Sequence, residues 1–138
     1  MSHSAEITNH SFASLNLAAP LLKNIEALGY TQATPVQAQV IPATLEGGDL
    51  LVSSQTGSGK TAAFLLPLLH QLVLANPHGS PVPGRAQPKI LVLCPTRELA
   101  QQVATDAINL ARGIKSLRIA TIMGGMPYGK QIQAIKGA

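Results

Sequence analysis

The sequence predicts an α/β fold in which a parallel sheet is covered on both faces by helices. Asp49–Ser53 (DLLVS), Ile90–Cys94 (ILVLC) and Arg118–Met123 (RIATIM) are short, largely apolar runs, the pattern of strands buried on two faces. Stretches with helical periodicity separate them, so right-handed crossovers and parallel pairing are the expected topology. The loops leaving these runs, at 54–59, 95–97 and 124–125, carry glycine, hydroxyl and basic residues. Sheets of this kind bind ligands at the carboxyl ends of their strands.

Each element has a local reason. Leu17, Leu21, Ile25 and Leu28 recur at helical spacing, and Gly29 supplies a stop. A second helix opens at Thr34-Pro35, where threonine caps and proline takes the first turn; it ends near Gly47-Gly48. Residues 59–75 read as an apolar helix that Pro67 kinks or ends early. Asn76–Lys89 contains four prolines and two glycines and is read as a loop. Thr96 caps the next helix, which places Leu99, Val103, Ala107 and Leu110 on one face. Gly124-Gly125 ends the third apolar run, and Tyr128–Lys136 forms a final short helix. Residues 1–11 are read as an N-terminal tail and 12–138 as one domain.

Composition narrows the class. The 138 residues fit a single domain, and no stretch approaches the roughly 20 apolar residues of a membrane span. The N-terminus lacks the charged start and apolar block of a signal peptide. Cys94 is the single cysteine and cannot form an internal disulfide, so a cytoplasmic location is expected. Within an apolar run it reads as core rather than nucleophile. His3 and His10 read as tail, and His70 and His78 lack metal-ligand spacing. The net charge is +4, and after Asp106 no acidic residue follows while Arg112, Lys115, Arg118, Lys130 and Lys136 do. That flank suits a polyanion such as nucleic acid, or a solvated surface, and charge alone does not choose.

The segment SSQTGSGKT, from Ser53 to Thr61, has the spacing of a phosphate-binding loop, with Ser54 where the pattern asks for glycine. It leaves an apolar run and opens a helix, as such a loop does. The binding residues are Ser54, Gln55, Thr56, Gly57, Ser58, Gly59, Lys60 and Thr61. Gly57 and Gly59 let main-chain N–H groups turn around an anion, and the helix adds its unpaired donors and positive end. Lys60 reaches the β- and γ-phosphates, and Thr61 offers its hydroxyl to Mg²⁺; both are expected to be catalytic. The ligand class is a nucleoside triphosphate with Mg²⁺.

Four separated motifs, in order, resemble the DEAD-box RNA helicases over most of the chain. Gly29–Gln37 (GYTQATPVQ), with Phe12 upstream, looks like the family's Q motif, and SSQTGSGKT looks like its motif I. Pro95–Ala100 (PTRELA) is similar to motif Ia letter for letter, and Gly124-Gly125 with Gln131 looks like the GG segment. The resemblance implies a three-layer RecA-like P-loop NTPase fold with a parallel sheet, here cut to about three strands. It implies ATP as the nucleotide. Gln37 would read the adenine edge, Thr34 would help position it, Phe12 would stack on the base, and Tyr30 would belong to the same nucleotide-binding set. Without the resemblance Gln37 reads as an exposed polar residue; Phe12 reads as a hydrophobic anchor, a role compatible with stacking. Pro95, Thr96, Arg97, Gly124, Gly125 and Gln131 would contact the RNA sugar–phosphate backbone without reading sequence.

No apolar run ends in the carboxylate that Mg²⁺ and the attacking water require, and the family's Asp-Glu-Ala-Asp and Ser-Ala-Thr motifs are absent. The expectation is therefore the first part of the first RecA-like domain, whose parent couples ATP hydrolysis to RNA unwinding with a second RecA-like domain. By itself the segment should not turn over ATP, and its open sheet edge should leave it marginally stable or self-associating. Another P-loop ATPase, or a natural non-catalytic truncation, remains the alternative.

Overall fold

The computed structural model describes residues 11–55, 59–79, 87–115 and 117–137. The readings placed on the tail, including His3 and His10, and on Thr56, Gly57 and Ser58 fall outside those residues. Among the described residues five α-helices follow a short 3-10 turn at Phe12–Leu15: α1 (Ala19–Ala27), α2 (Pro35–Glu46), α3 (Lys60–Ala75), α4 (Arg97–Leu110) and α5 (Tyr128–Gly137).

The first helix is shorter than the leucine spacing suggests. Leu17 lies before it yet is buried, Leu21 and Ile25 are buried within it, and Leu28 turns outward as its C-cap. Gly29 then takes φ +83°, a left-handed conformation that is cheap for glycine and ends the helix. In α2 the expected cap is a reciprocal one: the Gln37 N–H donates to Thr34 Oγ1 at 3.3 Å, and the Thr34 N–H donates to Gln37 Oε1 at 2.9 Å. Thr96 caps α4 in the simpler way, accepting from the Leu99 N–H at 3.2 Å.

Pro67 does not end α3, which continues to Ala75. Proline has no N–H to give the carbonyl one turn earlier, a cost of about 3 kcal/mol in an exposed helix. Pro67 lies fully buried between Leu66 and Leu69, so packing offsets that loss. Pro42 also lies inside α2, but it is exposed.

The core lies among the helices. α2 packs chiefly on α3, and α3 and α1 both pack on α4. Phe12, Leu21, Ile25, Ile41, Leu66, Val103 and Leu110 form one cluster, and burying each large aliphatic side chain contributes about 1.5–3 kcal/mol. On α4 the anticipated stripe holds at Val103, Ala107 and Leu110, while Leu99 is exposed. Two side chains fix α1 against later helices. Asn24 Nδ2 donates to the carbonyls of Leu110 and Arg112, both at 2.7 Å, satisfying acceptors at the α4 C-terminus. The main-chain N–H of Ala18 donates to His70 Nδ1 at 2.9 Å, so His70 braces the start of α1.

The expected sheet does not assemble among the described residues. The three apolar runs carry no ladder, and the isolated bridge found among the described residues joins Ser11 to Gln32. Leu51, Leu91 and Leu93 are exposed. A strand exists only with a partner, and apolar composition supplies the tendency without the neighbouring main chain that completes the ladder.

Candidate functional site

The candidate site residues gather in two clusters. The first joins the N-terminus of α2 to the start of α3. Gln37 is 6% exposed, and its amide Nε2 donates to the Gly59 carbonyl at 3.2 Å while Oε1 takes the Thr34 N–H. Bare sequence reading made Gln37 an exposed polar residue; burial with each amide end engaged replaces that view. Gly59 stands at φ +89°, and a Cβ there would collide with Gln37 Nε2 and come within 3.1 Å of Thr34 Oγ1. Glycine at this position therefore serves both the turn and the close approach of the glutamine.

Lys60 begins α3 and is exposed, and its Nζ donates to the Ser54 carbonyl at 2.6 Å. The lysine thus ties Ser54 to the start of α3. Thr61, half-buried, follows in the first turn, and Gln55 is exposed on the loop. A phosphate placed here would meet an ammonium, a hydroxyl and the unpaired donors of a 16-residue helix. For a magnesium ion the described residues offer Thr61 and no cluster of carboxylates.

The aromatic residues separate. Tyr30 is 59% exposed beside this cluster's chain segment, free to lie against a planar ligand. Phe12 is 5% exposed and packed in the core, with its N–H donating to the Thr31 carbonyl at 3.3 Å. The anchor role is the one this arrangement displays, and it fastens the entering chain to the Gly29–Gln37 segment.

The second cluster joins α4 to the Gly124-Gly125 turn. Pro95, Thr96 and Arg97 are exposed at the N-terminus of α4. Arg97 Nη1 donates to the Gly124 carbonyl at 3.2 Å. Gln131, in the first turn of α5, accepts the Met123 N–H at 2.8 Å and donates to the Met126 carbonyl at 3.2 Å. These links were missed in the sequence, where the motifs read as independent. A glutamine one turn into a helix after a glycine pair is the signal that could have suggested a side chain folded back onto the turn. Lys130 and Lys136 on α5 are exposed, as are Arg112, Lys115 and Arg118.

Comparison with known proteins gives the family. The model for the DEAD/DEAH box helicase family matches residues 34–138, more than half of the chain. The chain is 43% identical over 126 residues to ATP-dependent RNA helicase DeaD of Escherichia coli, covering 91% of this chain and 19% of that protein. It is 50% identical over 117 residues to ATP-dependent RNA helicase SrmB of Haemophilus influenzae, covering 85% and 25%. Among solved structures it resembles a DEAD box protein from the hyperthermophile Methanococcus jannaschii, with a TM-score of 0.78 at 38% identity, covering 93% of this chain and 32% of that one. The chain spans about a fifth to a third of the length of these relatives. With a glutamine-capped helix locked to a phosphate loop, and a family model running through both clusters, this chain belongs to the DEAD/DEAH box helicase family.

Proposed function

We propose that this chain is the ATP-binding and RNA-contacting segment of an ATP-dependent RNA helicase that couples hydrolysis to separation of RNA strands. The observation that carries the reading is the hydrogen bond from Gln37 to Gly59, which ties the adenine-reading glutamine to the loop that takes the phosphates. Gln37 Oε1 and Nε2 each keep one further hydrogen-bonding position, the acceptor-and-donor pair that the N6 and N7 edge of adenine requires. Thr34 fixes the glutamine through the capping box, and Tyr30 offers the exposed ring for the base. Phe12 acts first as the anchor of this segment. Ser54, Gln55, Thr56, Gly57, Ser58 and Gly59 wrap the phosphates, Lys60 neutralises the β- and γ-groups, and Thr61 gives its hydroxyl to Mg²⁺.

Pro95, Thr96 and Arg97 with Gly124 and Gly125 contact the sugar–phosphate backbone of RNA, through helix donors, guanidinium and exposed main chain. The apolar runs at 49–53, 90–94 and 118–123 are strands of the parallel RecA-like sheet, a reading supported by the likeness to the Methanococcus jannaschii protein. A second RecA-like domain and the acidic Mg²⁺ ligands complete the catalytic unit in the whole protein, and this segment alone binds nucleotide without turning it over. The single cysteine suits a cytoplasmic setting. Among the described residues no helix is long and apolar enough to cross a membrane.

The test is titration with a fluorescent ADP and Mg²⁺, competed by unlabelled ADP and GDP, on the wild type and on Gln37→Ala. Stronger competition by ADP, lost on Gln37→Ala, supports the reading. Equal competition by ADP and GDP in the wild type would sink the adenine role of Gln37.

A further inference from the structure

The Gly124-Gly125 turn is gripped from two sides. Arg97 reaches it from the first residue of α4 and bonds the Gly124 carbonyl at 3.2 Å. Gln131 reaches it from α5 and takes the two flanking groups, the Met123 N–H at 2.8 Å and the Met126 carbonyl at 3.2 Å. Three main-chain groups within four consecutive residues are fixed by two side chains. Gly125 stands at φ +79°, and a Cβ on it would come to 2.9 Å from Arg97 Nη1, so the turn is shaped around the guanidinium. Two adjacent glycines are otherwise the most mobile main chain available, and a ligand that met them loose would have to order them at its own cost.

Gln131 is half-buried, and both ends of its amide are given to the turn. Arg97 has further N–H groups for a phosphate, and the Gly124 and Gly125 main chain is exposed. Resting on the reading of this turn as an RNA-backbone contact, we infer that Gln131 is a positioning residue: it splints the Gly124-Gly125 turn in its RNA-binding shape rather than touching RNA itself. Its ligand class is any single strand with a sugar–phosphate backbone, because the groups it presents are main-chain and guanidinium donors.

The experiment uses the ¹⁵N-labelled full chain, reading amide hydrogen exchange at Met123 together with anisotropy of a fluorescein-labelled oligouridylate and of fluorescent ADP. Gln131→Met keeps the length and removes the amide. Gln131→Glu can still accept from the Met123 N–H but cannot donate to the Met126 carbonyl. Position 131 lies outside the core cluster, and the Val103 amide reports whether each variant keeps the fold. We expect Met123 exchange to quicken at least about fivefold in Gln131→Met and to stay near wild type in Gln131→Glu. RNA affinity should fall in Gln131→Met with ADP affinity unchanged. Weaker RNA binding with unchanged Met123 exchange would overturn the inference and make Gln131 a direct RNA contact. The expected exchange pattern in a wild type that holds no oligouridylate would support the splint and sink the RNA reading of the turn.

Discussion

The Gln37 amide donates across 3.2 Å to the carbonyl of Gly59, so the cap of α2 and the entry to α3 are one hydrogen-bonded unit although 22 residues separate them in sequence. Gln37 is also the residue that closes the capping box with Thr34. A single side chain therefore stabilises the start of α2 and holds Gly59, the residue before α3.

Replacing it tests both effects at once. Gln37→Ala should lower stability by about 1–3 kcal/mol, through the lost cap and the buried partners left unpaired. Urea unfolding followed by circular dichroism measures the loss. Gln37→Glu should be at least as damaging, because a carboxylate cannot donate to Gly59 and would be buried against a carbonyl. A glutamate variant as stable as wild type would remove the Gly59 bond from the account.

Gly59→Ala carries a different penalty. Its φ of +89° costs an alanine roughly 1–2 kcal/mol, and the new Cβ must displace Gln37 Nε2. The expected result is a lower urea midpoint together with weaker nucleotide binding. Gly47→Ala, also at positive φ but with nothing within 4 Å of its Cβ, should lose stability alone. The pair separates backbone strain from disturbance of the site.

Lys60→Met should behave in the opposite manner. The ammonium is exposed, so its bond to the Ser54 carbonyl contributes little to folding, and the urea midpoint should stay within about 0.5 kcal/mol of wild type. Affinity for ADP should drop by roughly 10–100-fold, the worth of one charge-assisted contact to phosphate. Unchanged ADP affinity would mean that the lysine never leaves Ser54.

Asn24→Ala removes two hydrogen bonds far from either cluster. Two carbonyls at the α4 C-terminus lose their donor, and stability should fall by about 1–3 kcal/mol. Nucleotide affinity should not change once the protein is shown to be folded. Thermal unfolding monitored by circular dichroism, alongside the ADP titration, checks both parts.

What was legible in the sequence is what neighbours along the chain decide. Thr34 and Thr96 announced their caps because capping needs a hydroxyl and a donor three residues on. The glycine stop after α1 was legible for the same reason. Pro67 did not end α3 early, because its local cost is offset by full burial. Distance also explains the apolar runs: their composition is local, whereas the partner that makes each one a strand is not. Gln37 was read as exposed without the family resemblance because a polar residue tells nothing of what will cover it. The Arg97–Gly124 link spans 27 residues, and no spacing rule connects a helix start to a glycine turn that far away.

Asn24 gives the helical packing a direction in time. Its acceptors lie 86 and 88 residues later in the chain, so α1 can meet His70 of α3 first but cannot make these two bonds until α4 has been made. At synthesis rates of ~5–20 residues/s, about 4–17 s pass between Asn24 and Leu110. Through that interval the apolar face of α1, including Leu21 and Ile25, waits for part of its cover. The contact that closes the helical core is thus among the last this stretch of chain can form, which slows folding in the way long-range contacts do.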